Sequence, residues 1–254
     1  KRWICYLLKR ELQTANPGLS PKAIFQMSKA IVLLSGGLDL THVLAIAKAS
    51  DFECYALSFD YGQKQRSELE SAKAIANQSK VTEHRIMKIS LADIGGSALT
   101  DDAIDVPKYS ESDEIPVTYV PARNTIFLSF ALAWAEVIDC QKIYIGVNAL
   151  DYSGYPDCRP EFIKAFEDMA NLATKQSIEG QKIEIKTPLI RMTKSEIIQK
   201  GLSLGVDYSQ TISCYLANDN GEACGECDAC VLRINGFNNA NIKDPTFYQK
   251  KFKI

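Results

Sequence analysis

Two groups of residues in this chain have the types and spacing for chemistry. The first is Leu34-Ser35-Gly36-Gly37-Leu38-Asp39, which follows the apolar run Ala30–Leu34 and precedes the helix-like segment Thr41–Ala49. A small, hydroxyl- and glycine-bearing turn there leaves backbone N–H groups free at a helix N-terminus, where an anion is favoured. The glycines let a phosphate approach the main chain closely. The second group is Cys214-x9-Cys224-x2-Cys227-x2-Cys230. Thiolates at this spacing suit a tetrahedral zinc ion, and four of them shut the site to water, so the metal would be structural rather than catalytic. Gly221, Gly225 and the turn-rich Asn218-Asp219-Asn220 let the backbone fold around it. The same ligand set also permits an iron–sulfur cluster.

Three further stretches carry polar side chains at the ends of predicted strands. Phe59-Asp60-Tyr61-Gly62-Gln63 follows the second strand, and in an open parallel sheet ligands bind beyond the C-terminal strand ends. In Val120-Pro121-Ala122-Arg123-Asn124, Asn124 is placed to cap the next helix and Arg123 to reach an anion. The run from Gly146 to Pro160 gathers Asn148, Asp151, Tyr152, Tyr155, Asp157 and Arg159 into one loop, a donor and acceptor mixture suited to a flat, polar heterocycle. His42 and His84 are the only histidines, and no Ser/His/Asp triad is indicated.

The elements that must hold these groups alternate. Strands are expected over Ala30–Leu34, Glu53–Phe59, Glu83–Ile89, Lys142–Val147 and Lys182–Thr187. Helices are expected over Thr41–Ala49, Arg66–Gln78, Asn124–Ile138, Pro160–Thr174 and Thr193–Leu204, the last opening on a capping box, Thr193-Lys194-Ser195-Glu196. This order predicts a parallel sheet with right-handed crossovers. The polar stretch 94–119 is too long for a routine connection and reads either as a lid or as a surface insertion. Residues 1–26 read as an N-terminal extension, non-native or dispensable, with the functional α/β domain over 27–206 and the cysteine segment over 207–254.

At 254 residues, 46% hydrophobic, 24% charged and net charge −2, the composition is that of an ordinary globular protein. No basic block marks a broad nucleic-acid footprint, and no apolar run reaches the ~18 residues of a membrane span. Eight cysteines, four of them scattered, suit a reducing cytoplasm better than a secreted disulfide scaffold.

The glycine loop resembles that of the ATP pyrophosphatase (PP-loop) superfamily; it lacks the longer glycine run and Gly-Lys-Ser/Thr ending of a Walker loop. From about Lys29 to Phe237 the chain resembles the 7-cyano-7-deazaguanine (preQ0) synthase family of queuosine biosynthesis. The specific stretches are Phe59–Gln63, Val120-Pro121-x-Arg123-Asn124, the run from Gly146 to Phe162, and the cysteine segment ending Leu232-Arg233-x-x-Gly236-Phe237. The resemblance implies a five-stranded parallel sheet with helices on both faces, of the adenine-nucleotide-binding type, plus a small C-terminal zinc-binding segment, in a homodimer. It implies that 7-carboxy-7-deazaguanine is adenylated by ATP with Mg2+, that ammonia displaces AMP to give an amide, and that a second adenylation drives dehydration to the nitrile. Direct nucleic-acid and membrane partners are not expected. Asp39, Arg123 and Lys194 are then the expected catalytic residues. ATP would lie along Leu34, Ser35, Gly36, Gly37, Leu38, Asp39, Leu40, Thr41, His42, Val43 and Leu44, with Asp60. Arg123, Asn148, Asp151, Tyr155, Asp157 and Arg159 would bind the substrate, with Asp151 or Asp157 reading the guanidine-like edge of its base. Leu40, His42 and Val43 depart from the family loop. Leu40 stands where the family has serine, which predicts weaker or slower use of ATP, or a weakened or non-catalytic relative that binds without turning over. Another superfamily member, such as a tRNA-thiolating enzyme, would use the same loop but would need a basic surface and a catalytic cysteine pair, and neither is evident.

Overall fold

Apolar runs buried on both faces set the architecture. The computed structural model describes residues 27–111, 114–150 and 155–250, so the expected extension over 1–26 and Asp151 lie outside the described residues. Among them, five strands form one sheet: β1 (Lys29–Leu33), β2 (Glu53–Asp60), β3 (Glu83–Lys88), β4 (Lys142–Tyr144) and β5 (Glu184–Lys186). The order is β3-β2-β1-β4-β5 and every pairing is parallel. The central strand β1 has Ala30, Ile31 and Val32 wholly buried, as a strand covered on both faces must be.

The helices are α1 (Leu38–Ala49), α2 (Ser67–Gln78), α3 (Arg123–Ile138), α4 (Pro160–Ala173), the single turn α5 (Lys175–Ile178), α6 (Lys194–Ser203) and α7 (Asp228–Asn239). Side chains alternate across a strand, so β1 feeds two cores. Ile31 and Leu33 pack with Leu128 and Leu132 of α3 and Ile163 and Phe166 of α4. Ala30 and Val32 pack with Val43 and Leu44 of α1, Ile75 of α2, Ile197 and Ile198 of α6 and Phe237 of α7. Helices therefore cover both faces, as expected. Tyr208, Phe237 and Ala240, from the 207–254 segment, lie in that second core, and the segment adds a small cluster of its own around Cys214, Ala223, Cys227 and Cys230.

Two details position the site. The strand order reverses between β1 and β4, which opens a crevice at their C-terminal ends, the usual ligand position in open α/β sheets. The expected capping box also forms: Thr193 caps α6, its Oγ1 accepting from the Glu196 N–H while Glu196 Oε2 accepts from the Thr193 N–H. That fixes Lys194 as the first residue of the helix. No helix among the described residues is long and apolar enough to cross a membrane.

Candidate active site

The crevice holds a cavity of about 220 Å3. Its floor is the β1–α1 loop. Gly36 has φ of +86°, and a Cβ there would stand 2.3 Å from the Glu68 carbonyl oxygen and 2.7 Å from the Ala72 nitrogen. Only glycine fits, because the start of α2 presses on the loop. The Gly36 carbonyl accepts from Ser71 Oγ (3.1 Å) and the Ile212 N–H (3.1 Å), so the loop is braced by α2 and by the approach to the cysteine segment. Gly37 caps α1 without a side chain; the Leu38 N–H is met by Ser213 Oγ at 3.4 Å, and the helix N-terminus faces the cavity, where an anion is favoured.

Lys194 reaches across from α6 and places Nζ 2.9 Å from both carboxylate oxygens of Asp39. Its stem is nine-tenths buried and runs against Gly236 of α7; a Cβ on Gly236 would stand 2.3 Å from Lys194 Cγ. The glycine of α7 thus makes room for the lysine of α6.

The opposite wall is aromatic and cationic. Phe59 and Phe127 stack at 3.9 Å with rings 2° from parallel, and Tyr61 meets Phe127 edge-on. Arg123 enters from the first turn of α3, whose cap is Ala122 in the left-handed region (φ 54°). Burial opposes the Arg123 charge, but Tyr61, Tyr155, Asp157 and Tyr215 around it hold its pKa above the ordinary arginine range. The Tyr155 hydroxyl lies 2.8 Å from Thr118 Oγ1. The 94–119 stretch is therefore partly built into the site: Ser97, Ala98 and Thr118 are buried, Leu99 lines the cavity, and the Tyr109 N–H donates to the Glu226 carbonyl of the cysteine segment.

The cavity brings together many of the expected residues. Leu34, Ser35, Gly37, Leu38, Asp39 and Leu40 line it, with Arg123, Asn148, Tyr155 and Lys194. Others lie elsewhere. Thr41 turns its hydroxyl back onto the Gly37 carbonyl at 2.8 Å. Val43 and Leu44 are core residues of α1, and Asp60 is not among the lining residues. His42 is wholly buried with neither ring nitrogen hydrogen-bonded; burial pushes its pKa down to about 4, aided by Lys200 and opposed by Asp39. Asn148 is committed to main chain, donating to the Leu189 and Met192 carbonyls and accepting from the Leu150 N–H. Asp157 is buried and accepts from the Asn124 N–H at 3.0 Å, so it satisfies the start of α3. Asn124 lies inside that helix and does not cap it. Arg159 is exposed beside the Pro156 carbonyl, outside the lining. Leu40 sits over the β4 exit, its Cδ2 2.7 Å from where a Cβ on Gly146 would stand, so glycine at 146 accommodates the leucine.

Among the lining groups not singled out in the sequence are Glu68, Ser213 and Tyr215. Ser213 Oγ accepts from the Leu38 N–H at 3.4 Å, and its neighbour Cys214 begins the cysteine cluster. No local pattern marks them, because their places depend on contacts far along the chain.

The four sulfurs of Cys214, Cys224, Cys227 and Cys230 lie within 4.8 Å of one another, with Cys224 and Cys230 at 3.9 Å. A tetrahedral thiolate site with metal–sulfur bonds of about 2.3 Å would set its sulfurs ~3.8 Å apart, so this donor set fits a metal ion. The N–H groups of Leu216 and Cys224 point at Cys214 Sγ (3.2 Å each), and that of Glu226 at Cys224 Sγ (3.4 Å), as suits thiolate acceptors. Hydrogen bonds from the neighbouring thiols lower the Cys224 pKa. Arg233 of α7 anchors the segment: it donates to Asp244, Thr211 Oγ1 and the Tyr208 carbonyl, and it is almost wholly buried.

The family model described as queuosine biosynthesis protein QueC matches residues 29–241. The chain belongs to the QueC family. Among curated QueC-type relatives, the 7-cyano-7-deazaguanine synthase of Ruthia magnifica subsp. Calyptogena magnifica is 67% identical over 221 residues, 87% of this chain and 96% of that one. The 7-cyano-7-deazaguanine synthase of Coxiella burnetii (strain RSA 331 / Henzerling II) is 60% identical over 225 residues, 89% of this chain and 100% of that one. Among solved structures, an NMN synthetase from Francisella tularensis aligns at 16% identity and a TM-score of 0.49, covering 85% of this chain and 79% of that one. The QueC fold described here rests on the sheet order and pairings, not on that distant likeness.

Proposed function

We propose that this protein is a 7-cyano-7-deazaguanine synthase, a carbon–nitrogen ligase that converts 7-carboxy-7-deazaguanine and ammonia to the nitrile with release of AMP and pyrophosphate. The observation that carries the reading is one cavity, in a QueC chain, that joins a glycine loop at a helix N-terminus, the Asp39–Lys194 pair and Arg123 to an aromatic wall. A carboxylate is a poor electrophile and AMP a good leaving group, so the enzyme has to present an anhydride of the two and keep water from it.

In this reading Ser35, Gly36, Gly37 and the first N–H groups of α1 cradle the phosphates of ATP, which arrives with magnesium as part of the substrate. Lys194, already held by Asp39, meets the phosphates as a point charge. Arg123 and Tyr155 face the deazaguanine against the Phe59–Phe127–Tyr61 wall. Because the Asp157 carboxylate is committed to the start of α3, we assign Asp151 to the guanidine-like edge of the base. The cysteine set holds zinc, whose role is to cross-link the segment that carries Ser213 and Tyr215. The protein works as a cytoplasmic homodimer on small molecules alone.

The test is to incubate the protein with ATP, magnesium, ammonium and 7-carboxy-7-deazaguanine and follow the base by mass spectrometry. The nitrile should appear together with AMP and pyrophosphate. ATP turnover with the base left unchanged would defeat the reading.

A further inference from the structure

One carboxyl group in the cavity has no task in the reading above. Glu68, in the first turn of α2, faces the β1–α1 loop, and its Oε1 lies 3.6 Å from where a Cβ on Gly37 would stand. Of the two carboxylates lining the cavity among the described residues, Asp39 is clamped by Lys194 and Glu68 is not. Arg123 from α3 and Tyr61 from the end of β2 face it, and Ser35 Oγ lies beside it against Gly37. The remaining charged lining group, Arg233, is paired with Asp244.

Removal from water pushes the Glu68 carboxyl up to about 7, against the neighbouring Ser35 hydroxyl and the Arg123 charge, which both pull it down. A carboxylate poised near the working pH in a half-closed site is matched to accepting a proton during reaction. Its position decides which proton. Ser35 belongs to the phosphate-cradling loop, so Glu68 stands at the end of the cavity where the carboxyl–AMP anhydride forms, away from the face that would read the base.

We propose that Glu68 accepts the proton released when ammonia adds to the adenylated substrate, an assignment that rests on the synthase reading. The nitrogen lone pair forms the new C–N bond at the acyl carbon. The bond from that carbon to the AMP oxygen breaks, and AMP leaves with the electron pair. The surplus proton of the ammonium-like adduct passes to the Glu68 carboxylate, leaving a neutral amide. Arg123, by facing both Glu68 and the departing phosphate, keeps the carboxylate ionised until the proton arrives.

Glu68→Gln tests this, because glutamine keeps the shape and the polarity beside Ser35 but takes no proton. Two rates are read: substrate-dependent exchange of labelled pyrophosphate into ATP without ammonia, and amide plus nitrile formation from about pH 6 to 9 at a fixed concentration of free, unprotonated ammonia. Exchange should stay within about threefold of the parent, while product formation falls about 100-fold or more and loses the parent's rise through neutral pH. Glu68→Asp, which restores a carboxylate, should recover part of the product rate and the pH-dependent limb. A Glu68→Gln protein with the parent's product rate and pH profile overturns the proposal. So does one that loses exchange and product in equal proportion, since Glu68 would then serve adenylation or folding. A parent protein that performs neither reaction would instead defeat the synthase reading, and this assignment with it.

Discussion

The glycine loop and the cysteine segment meet at one cavity but are held there by different forces. The loop is fixed by sterics and main-chain bonds: Gly36 fits only as glycine beneath α2, and its carbonyl is taken by Ser71 and Ile212. The cysteine segment has a small core, and its four sulfurs converge to within 4.8 Å of one another, a donor set that could hold a metal ion. The two are not independent, because Ile212 and Ser213 touch the loop directly and Cys214 follows at once. A metal bound there for structure would therefore also shape the cavity. Removing it should cost activity as well as stability.

The largest effect is expected on the weaker side. Cys227→Ser, or a strong chelator, should lower the thermal midpoint by about 6 °C or more, since structural metal binding is folding energy and each kcal/mol is worth about 2–4 °C in a domain of this size. Elemental analysis of the parent should find one zinc per chain, and the Cys227→Ser protein should lose it together with product formation. A metal-free parent that is folded and active would dissolve the contrast between the two regions.

The next effect probes the loop side. Lys194→Ala leaves the Asp39 carboxylate recessed without its cation, at a cost of about 3 kcal/mol by denaturant titration. Adding Asp39→Asn should recover part of that stability and none of the product formation. Recovery of both would mean that the pair serves the fold alone.

The smallest effect should come from Leu40→Ser. Leu40 packs on both apolar cores and over Gly146, so the change should cost about 1–3 kcal/mol of stability. It returns a hydroxyl at the helix N-terminus, and ATP should bind about tenfold more tightly, the worth of one hydrogen bond to a charged group. Unchanged ATP affinity by calorimetry would show that the Ser213 hydroxyl or the backbone N–H already fills that role.

Much of this was legible in the residues. The alternation of apolar runs gives the parallel sheet, Thr193 and Glu196 mark the start of α6, and the four cysteines grouped by spacing do converge. Local pattern could not supply the rest. Helix α7, with three Asn and a mid-helix Gly, carries little amphipathic signal, yet it places Cys230, Arg233 and Gly236. Asn124 looks like a cap, but the helix is capped through Asp157, 33 residues away. Thr41 looks like a phosphate ligand, but its hydroxyl closes on its own helix. Glu68 reads as an ordinary first-turn acid of α2 until the loop from β1 is laid against it.

The central claim is that this cavity joins the substrate carboxylate to AMP, and the oxygen atoms can report it. With 7-carboxy-7-deazaguanine labelled with oxygen-18 in its carboxyl group, each adenylation moves one substrate oxygen onto the α-phosphorus. Mass spectrometry should then find AMP carrying one heavy oxygen for every adenylation, with unlabelled pyrophosphate and a nitrile that has lost both labels. Unlabelled AMP would mean that water, not the substrate, attacked the nucleotide, and would contradict the account.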